Sequence, residues 1–233
     1  MNTDIDFSEY WFFERFEVLN ALTHQEKMDV IDMSCRTNYP KKSTVYNTQD
    51  SSNRLFFLKK GTVKISKFSD DGKEMIVAIL REGDVFGEAS LIFGEEGKYQ
   101  EIVVAQEDVL TCSLRISDVK KLLIKNKDFN HSITNLIGEK YQKMQMRLAA
   151  LFFKSTPDRI KGFIKEMADD YGKTLINETE IELKLNLKHE EIAKLTGTTR
   201  QTVTSVMSDL EKSGIITYDR SRILIKDYNR LSE

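Results

Sequence analysis

The stretch Lys188–Leu210, KHEEIAKLTGTTRQTVTSVMSDL, decides the fold. It reads as two short helices joined by a turn at Gly197. The second helix opens on Thr199-Arg200-Gln201-Thr202, where Thr199 is placed to cap the start by accepting a bond from a free backbone N–H one turn on. Val203, Val206, Met207 and Leu210 recur at helical spacing, which predicts one buried face. Arg200, Gln201, Thr204 and Ser205 then fall on or beside the opposite face. An exposed face headed by a forked cation and an amide has the chemistry to read base edges in a DNA major groove. The recognition helix is therefore expected over 199–211, with the rest of the chain as a device that controls it.

Working outward, Ile215-Ile216-Thr217-Tyr218 and Arg222-Ile223-Leu224-Ile225 flank Asp219-Arg220-Ser221 and read as a hairpin, the wing of a winged helix. On the other side, Ile181, Leu183, Leu185 and Leu187 alternate with polar residues as in a half-buried strand. Thr156-Pro157 opens a further helix, with Thr156 as N-cap and Pro157 at the first helical position. Phe153 to Thr156 is then the expected hinge. Upstream of it a helical period runs from about 117 to 153. Within that stretch Ile137, Tyr141, Met144, Leu148 and Leu151 are spaced 4, 3, 4, 3, a coiled-coil seam. The stripe suits either a homodimer interface or packing on the preceding region, and its length favours the dimer.

From about 40 to 114 short β-rich runs replace the helical period: Thr44–Tyr46, Leu55–Leu58, Thr62–Phe68, Met75–Leu80, Ile102–Ala105 and Leu110–Ser113. Turn signals separate them, including Asp70-Asp71-Gly72 and Glu82-Gly83-Asp84. Asp-Gly between two strands marks a hairpin, and several short strands at this spacing suggest a small barrel or sandwich. Residues 5 to 35 look helical, with a capping box at Thr23-His24-Gln25-Glu26.

Composition excludes several classes. With 233 residues, 40% hydrophobic and 31% charged, the chain has the balance of a soluble globular protein of one or two domains. No apolar run of about 18 residues predicts a membrane span. The acidic start MNTDIDFSEYWFFERF is unlike a secretory signal, so a cytoplasmic location is expected. A net charge of −2 means that any attraction to phosphate must come from local patches. Cys35 and Cys112, far apart in apolar surroundings, are expected to be buried thiols. Neither belongs to a C-x-x-C pair, and no cluster of His, Cys, Asp and Glu suggests a metal. No paired carboxylates, phosphate loop or nucleophile motif points to an enzyme.

The order β barrel, long helix, winged helix resembles the CRP/FNR family of bacterial transcription regulators. The sensor match is Gly72-Lys73-Glu74-Met75-Ile76 running into Glu82-Gly83-Asp84-Val85-Phe86-Gly87-Glu88, and the C-terminal match is Glu191-Ile192-Ala193 through Gly197 to Arg200-Gln201-Thr202-Val203. The resemblance covers nearly the whole chain. It implies an α+β protein: an antiparallel β-roll of the cyclic-nucleotide-binding kind, a long dimerisation helix and a C-terminal winged helix-turn-helix. The sensor domain would be 1–153, with the roll at about 40–114, and the DNA-binding domain 154–233.

The resemblance also implies site residues. Gly87-Glu88 matches the Gly-Glu pair that meets the ribose in nucleotide-binding members. The Arg-Ser pair that clamps the cyclic phosphate is replaced by Lys98-Tyr99-Gln100-Glu101. Tyr99 and Gln100 cannot supply the bidentate charge-assisted bonds of arginine, and Glu101 would repel an anion. Tyr141-Gln142 stands where cyclic-AMP-binding members carry small hydroxyl residues against the base. Gly87, Glu88, Tyr99, Gln100 and Tyr141 thus outline an effector pocket that does not suit cyclic AMP. Oxygen-sensing members need an N-terminal cysteine cluster and haem-bearing members need axial ligands. Neither set is present, so no iron–sulfur cluster or haem is indicated and the effector is unknown or absent.

On DNA, Arg200 is expected at guanine, Gln201 at adenine, with Thr204 and Ser205 beside them. Cyclic-AMP-binding members carry Glu where Gln201 stands and Arg where Ser205 stands, so the half-site should differ from theirs. Lys188, His189, Thr199, Thr202, Arg220 and Arg222 are candidates for phosphate contacts. Lys188 stands where the family has Ser or Thr, and lysine cannot accept a capping bond. The partners implied are double-stranded DNA with a near-palindromic operator, a second copy of the chain and RNA polymerase. A second reading, a nucleotide-sensing module acting through protein interaction, is disfavoured by the missing phosphate clamp.

Overall fold

The Thr23 hydroxyl accepts the Glu26 N–H at 3.3 Å while the Glu26 carboxylate accepts the Thr23 N–H at 3.0 Å. This reciprocal capping box satisfies two orphan donors and starts helix α1, His24–Met33, after a single 3-10 turn at Glu17–Leu19. The computed structural model describes residues 13, 15–47, 53–93, 101–175, 180–184, 187–219 and 221–231. Within it the chain forms two compact units, Met1–Gln142 and Lys143–Glu233.

In the first unit eight strands follow α1: β1 Cys35–Tyr39, β2 Thr44–Asn47, β3 Arg54–Lys60, β4 Thr62–Phe68, β5 Glu74–Arg81, β6 Val85–Phe86, β7 Ile102–Ala105 and β8 Val109–Arg115. A short helix α2, Ala89–Phe93, lies between β6 and β7. The strands make two antiparallel sheets, ordered β1-β8-β3-β6 and β2-β7-β4-β5. Strand β3 shows why two cores form. Successive side chains point to opposite faces, so Leu55 and Phe57 join the helices in one cluster while Phe56 and Leu58 join the other between the sheets. All four are at most 3% exposed.

Three expectations need correction here. The β region begins at Cys35, not Pro40. The run Cys35–Tyr39 pairs residue for residue with Ser113–Val109, but it is an edge strand with polar outer positions and lacks apolar alternation. Cys35 is consequently exposed, and only Cys112 is a buried thiol. The expected single helix over 117–153 is two helices, α3 Ile116–Lys125 and α4 Lys127–Phe153. Asn126, at φ −120 and ψ 108, leaves the helical region between them. Its Oδ1 accepts the Phe129 N–H at 2.9 Å and its amide donates to Glu26 Oε2 at 2.9 Å. The break turns Phe129 and Ile133 into the core at 0% and 3% exposure.

The second unit begins within α4. Lys143 reaches Asp170 at 2.7 Å, and Arg147 binds Glu166 through Nη2 at 2.7 Å and Nε at 3.2 Å. These pairs link α4 to α5, Thr156–Tyr171. The cap of α5 is Ser155, whose hydroxyl accepts the Asp158 N–H, so Thr156 and Pro157 are already helical. Next come β9 Lys173–Thr174, β10 Ile181–Leu183, α6 His189–Thr196, α7 Arg200–Lys212, β11 Ile216–Tyr218 and β12 Ile223–Ile225. The strands form one antiparallel sheet ordered β11-β12-β10-β9. Ile160, Ile164 and Met167 of α5 pack with Ile192, Val203, Met207 and the sheet residues Leu183, Ile216 and Ile225. Leu187 is half-buried against this core, and Leu185 lies outside the described residues. Among the described residues no helix is long and apolar enough to cross a membrane.

Candidate nucleic-acid interface

Helix α6 starts without a hydroxyl cap. The Glu191 carboxylate instead accepts the Lys188 N–H at 2.9 Å, the half of a capping box that does not need Ser or Thr. The helix ends at Gly197, φ 62 and ψ 46, where the Thr198 N–H bonds Ala193 O at 2.9 Å. This left-handed position is the place where a residue without Cβ is favoured. Two residues on, Thr199 caps α7 as its sequence implies: its hydroxyl accepts the Thr202 N–H at 3.2 Å and meets the Thr202 hydroxyl at 2.9 Å.

Helix α7 is amphipathic in the expected sense. Val203, Val206, Met207 and Leu210 are buried, while Arg200, Gln201, Thr204 and Ser205 are exposed. The hydroxyl of Thr204 is already engaged. It donates to Arg200 O at 2.9 Å and lies 2.9 Å from His189 Nδ1. Which of the two donates in the His189–Thr204 bond follows from the ring tautomer. Burial, with a smaller push from the Arg200 cation, lowers the His189 pKa, so the ring is neutral near pH 7. His189 also packs at 5.9 Å against the Tyr218 ring of the wing.

At the wing tip Asp219 accepts from Ser221 N at 2.8 Å, Arg222 N at 3.0 Å and Arg222 Nε at 2.9 Å. These bonds, led by the Ser221 backbone, hold Asp219 down to about 2. Arg222 is thus ion-paired with Asp219 yet exposed, and Arg220 lies outside the described residues. Lys188 is exposed at the start of α6.

In the first unit, Gly87 has φ +86, and a Cβ there would lie 2.5 Å from Arg54 O. Packing alone therefore accounts for a glycine at this position. Glu88 is paired through Oε1 with Lys140 Nζ of α4 at 2.8 Å, and Lys140 also donates to Val85 O at 2.7 Å. Among the described residues, Glu88 Oε2 is buried without a hydrogen-bond partner. Glu101 takes a bond from the Tyr46 hydroxyl at 3.4 Å. Burial pushes its carboxyl up, and the Glu88 charge adds to the rise against the opposing Lys67 and Lys140. Tyr46, Phe56 and Phe86 stack between the sheets, with the Phe56 and Phe86 centroids 4.9 Å apart. Tyr99 and Gln100 lie outside the described residues, and Tyr141 is 60% exposed.

Along α4, Met144, Leu148 and Leu151 are 60%, 56% and 49% exposed, whereas Ile137 packs against the core of the first unit. Among the described residues no group of three or more His, Cys, Asp or Glu is arranged to hold a metal.

Comparison with known proteins agrees with this geometry. The cyclic nucleotide-binding domain family matches residues 36–126, and the Crp-like helix-turn-helix domain family matches residues 158–233. The chain belongs to the CRP/FNR family of transcription regulators. Like other family members it joins an antiparallel sensor fold to a helix-turn-helix. It is 29% identical over 195 residues to the global nitrogen regulator of Synechocystis sp., covering 84% of this chain and 86% of that one. It is 24% identical to the CRP-like cAMP-activated global transcriptional regulator of Mycobacterium tuberculosis, covering 84% and 85%. A CooA variant from Carboxydothermus hydrogenoformans superposes with a TM-score of 0.73 at 27% identity, covering 92% of each chain. FixK2 from Bradyrhizobium japonicum also reaches 0.73, at 20% identity and 85% and 95% coverage, which shows the shared fold.

Sequence reasoning missed Lys140 as the partner of Glu88. A lysine on an exposed-looking helix carries no periodic signal, and only the fold brings it to the Gly87 turn. It also missed Arg159 of α5, whose guanidinium bonds four acceptors at 2.9–3.3 Å.

Proposed function

We propose that this CRP/FNR regulator acts as a homodimer that places two copies of α7 in successive major grooves of a near-palindromic operator. The observation that carries the reading is α7 itself: capped at Thr199, buried on one face, and presenting Arg200, Gln201 and Ser205 on the other. Arg200 reads a guanine through O6 and N7, and Gln201 reads an adenine. Lys188, His189, Thr199, Thr202, Arg220 and Arg222 contact phosphates, which fix register without reading sequence. Thr204 helps to place Arg200 and His189 through its two bonds and lies beside the base readers. Exposed Met144, Leu148 and Leu151, with Tyr141 on the same heptad register, form the seam between copies, while Ile137, expected at the head of that seam, packs against the core of its own unit. Residues 1–153 sense and dimerise, 154–233 bind DNA, and the hinge lies before Thr156.

The effector is unknown or absent, and the residues around Glu88 do not suit cyclic AMP. The Glu88 carboxylate that would meet a ribose is held by Lys140, and Glu101 adds a second acidic group where an anionic phosphate would need cations. The protein works in the cytoplasm without catalysis, metal or haem, with RNA polymerase as its further partner. Selection of bound DNA from a random pool, with and without cell extract, tests the reading. Enrichment of a two-fold site with half-sites about 34 Å apart is expected; recovery of unrelated sequences with no shared half-site overturns it.

A further inference from the structure

Four acceptors converge on the guanidinium of Arg159 in α5. Nε donates to Thr196 O at 2.9 Å and Nη2 to Gly197 O at 3.2 Å. These are the carbonyls that end α6, at the turn before α7. Nη1 donates to Lys154 O at 3.1 Å, the first carbonyl past α4, and Nη2 also reaches Thr156 Oγ1 at 3.3 Å. The last carbonyls of a helix lack intrahelical partners and carry partial negative charge. Here the ends of two helices, α4 and α6, share one planar cation. The same turn is touched from α4 by Leu151, whose Cδ2 would lie 2.9 Å from a Cβ on Gly197. The α6–α7 turn is therefore held on one side by the end of α4 and on the other by the start of α5.

We propose that Arg159 is a positioning residue for the recognition helix: its guanidinium fork locks the α6–α7 turn to the end of the long helix, so that the direction in which α7 leaves Thr199 is set from the hinge. The inference rests on the reading of α7 as the base-contacting helix. The fork is essential to it. Arginine presents five N–H groups in a rigid plane, whereas lysine offers a compact charge that cannot bond Thr196 O, Gly197 O and Lys154 O in one geometry. Arg159 is assigned no contact with DNA, since its guanidinium is engaged with Thr196 O, Gly197 O, Lys154 O and Thr156 Oγ1. Its effect is on how well Arg200 and Gln201 are aimed, and so on specific more than on non-specific binding.

The test compares wild type, Arg159→Lys and Arg159→Met as full-length chains on the selected operator and on random duplex DNA, across a salt series. Arg159→Lys should keep its far-UV circular dichroism and its random-duplex affinity. It should lose about tenfold to hundredfold on the operator, the equivalent of one or two charged hydrogen bonds. The salt slope should match wild type in both variants, because no phosphate contact is lost. Should Arg159→Met fail to fold, the lysine variant still decides. An operator-to-random ratio unchanged in Arg159→Lys overturns the proposal. So does a proportional fall on both DNAs, which marks a general stabilising role, and so does a salt slope reduced by about one in Arg159→Met, the mark of a phosphate contact. A wild-type chain with no preference between the two DNAs would instead sink the reading of α7, and this proposal with it.

Discussion

Replacing Gly197 by alanine perturbs a single backbone position whose consequences can be worked out from the structure. The residue sits at φ 62 and ψ 46, and an L-residue there brings Cβ against the following carbonyl at a cost of about 1–2 kcal/mol. The new Cβ also lies 2.9 Å from Leu151 Cδ2. That atom is the far end of a half-exposed side chain, so Leu151 swings aside and adds little. Alanine also narrows the unfolded ensemble, which returns about 0.4–1 kcal/mol. The net expectation is a loss of about 1 kcal/mol in the second unit, seen as a fall of about 4–8 °C in its melting temperature. Scanning calorimetry on the full chain reads this directly. Gly197→Asn is the control: it places the same Cβ near Leu151, yet asparagine tolerates the left-handed region, so its loss should be smaller. A Leu151→Ala, Gly197→Ala double variant separates the two causes. If the alanine penalty disappears when Leu151 is trimmed, side-chain contact and not backbone conformation explains the glycine, and the reasoning fails.

Arg200→Ala should erase preference at one guanine of each half-site, a loss of about 1–3 kcal/mol of discrimination, with the melting profile unchanged; a competition assay showing full discrimination would move the recognition role elsewhere. Gly87→Ala combines a left-handed residue with a Cβ 2.5 Å from Arg54 O, a backbone atom that cannot rotate away. Strain and overpacking together predict a loss of roughly 2–5 kcal/mol in the first unit, and a denaturant midpoint equal to wild type would show that the turn is not so confined. His189 should titrate below its ordinary value of 6.5 in the free protein. Since the folded value is the lower one, the stability contributed by the neutral ring is complete above about pH 6.5 and is lost as the pH falls through the folded value. Phosphate near Nε2 favours the imidazolium, so proton NMR should find the midpoint raised on operator DNA; a free midpoint at or above 6.5 contradicts the burial argument.

The particular elements show where sequence reading succeeds and where it stops. The capping box at Thr23, the Asp-Gly hairpin, the buried stripe of α7 and the wing were legible because each depends on residues only a few positions apart, where turn chemistry and helical or two-residue periods operate. Strand β1 escaped notice because an edge strand with polar outer positions has no such period. The helix break at Asn126 escaped notice although its capping bond from the Phe129 N–H is local; only its second bond, to Glu26, reaches 100 positions away.

By itself the amino-acid order determined the architecture of this regulator and which face of α7 is buried and which is left exposed, since local backbone preference and apolar spacing suffice for both. Only the folded chain decided that Lys140 occupies Glu88, that His189 holds Thr204, and that Arg159 ties the end of α6, 37 and 38 residues away, to the nearby end of α4. Charges and hydrogen-bond donors carry no address in the sequence; they find partners only where burial of the apolar faces has brought distant segments within about 3 Å, so their roles are a consequence of packing and become readable only after it.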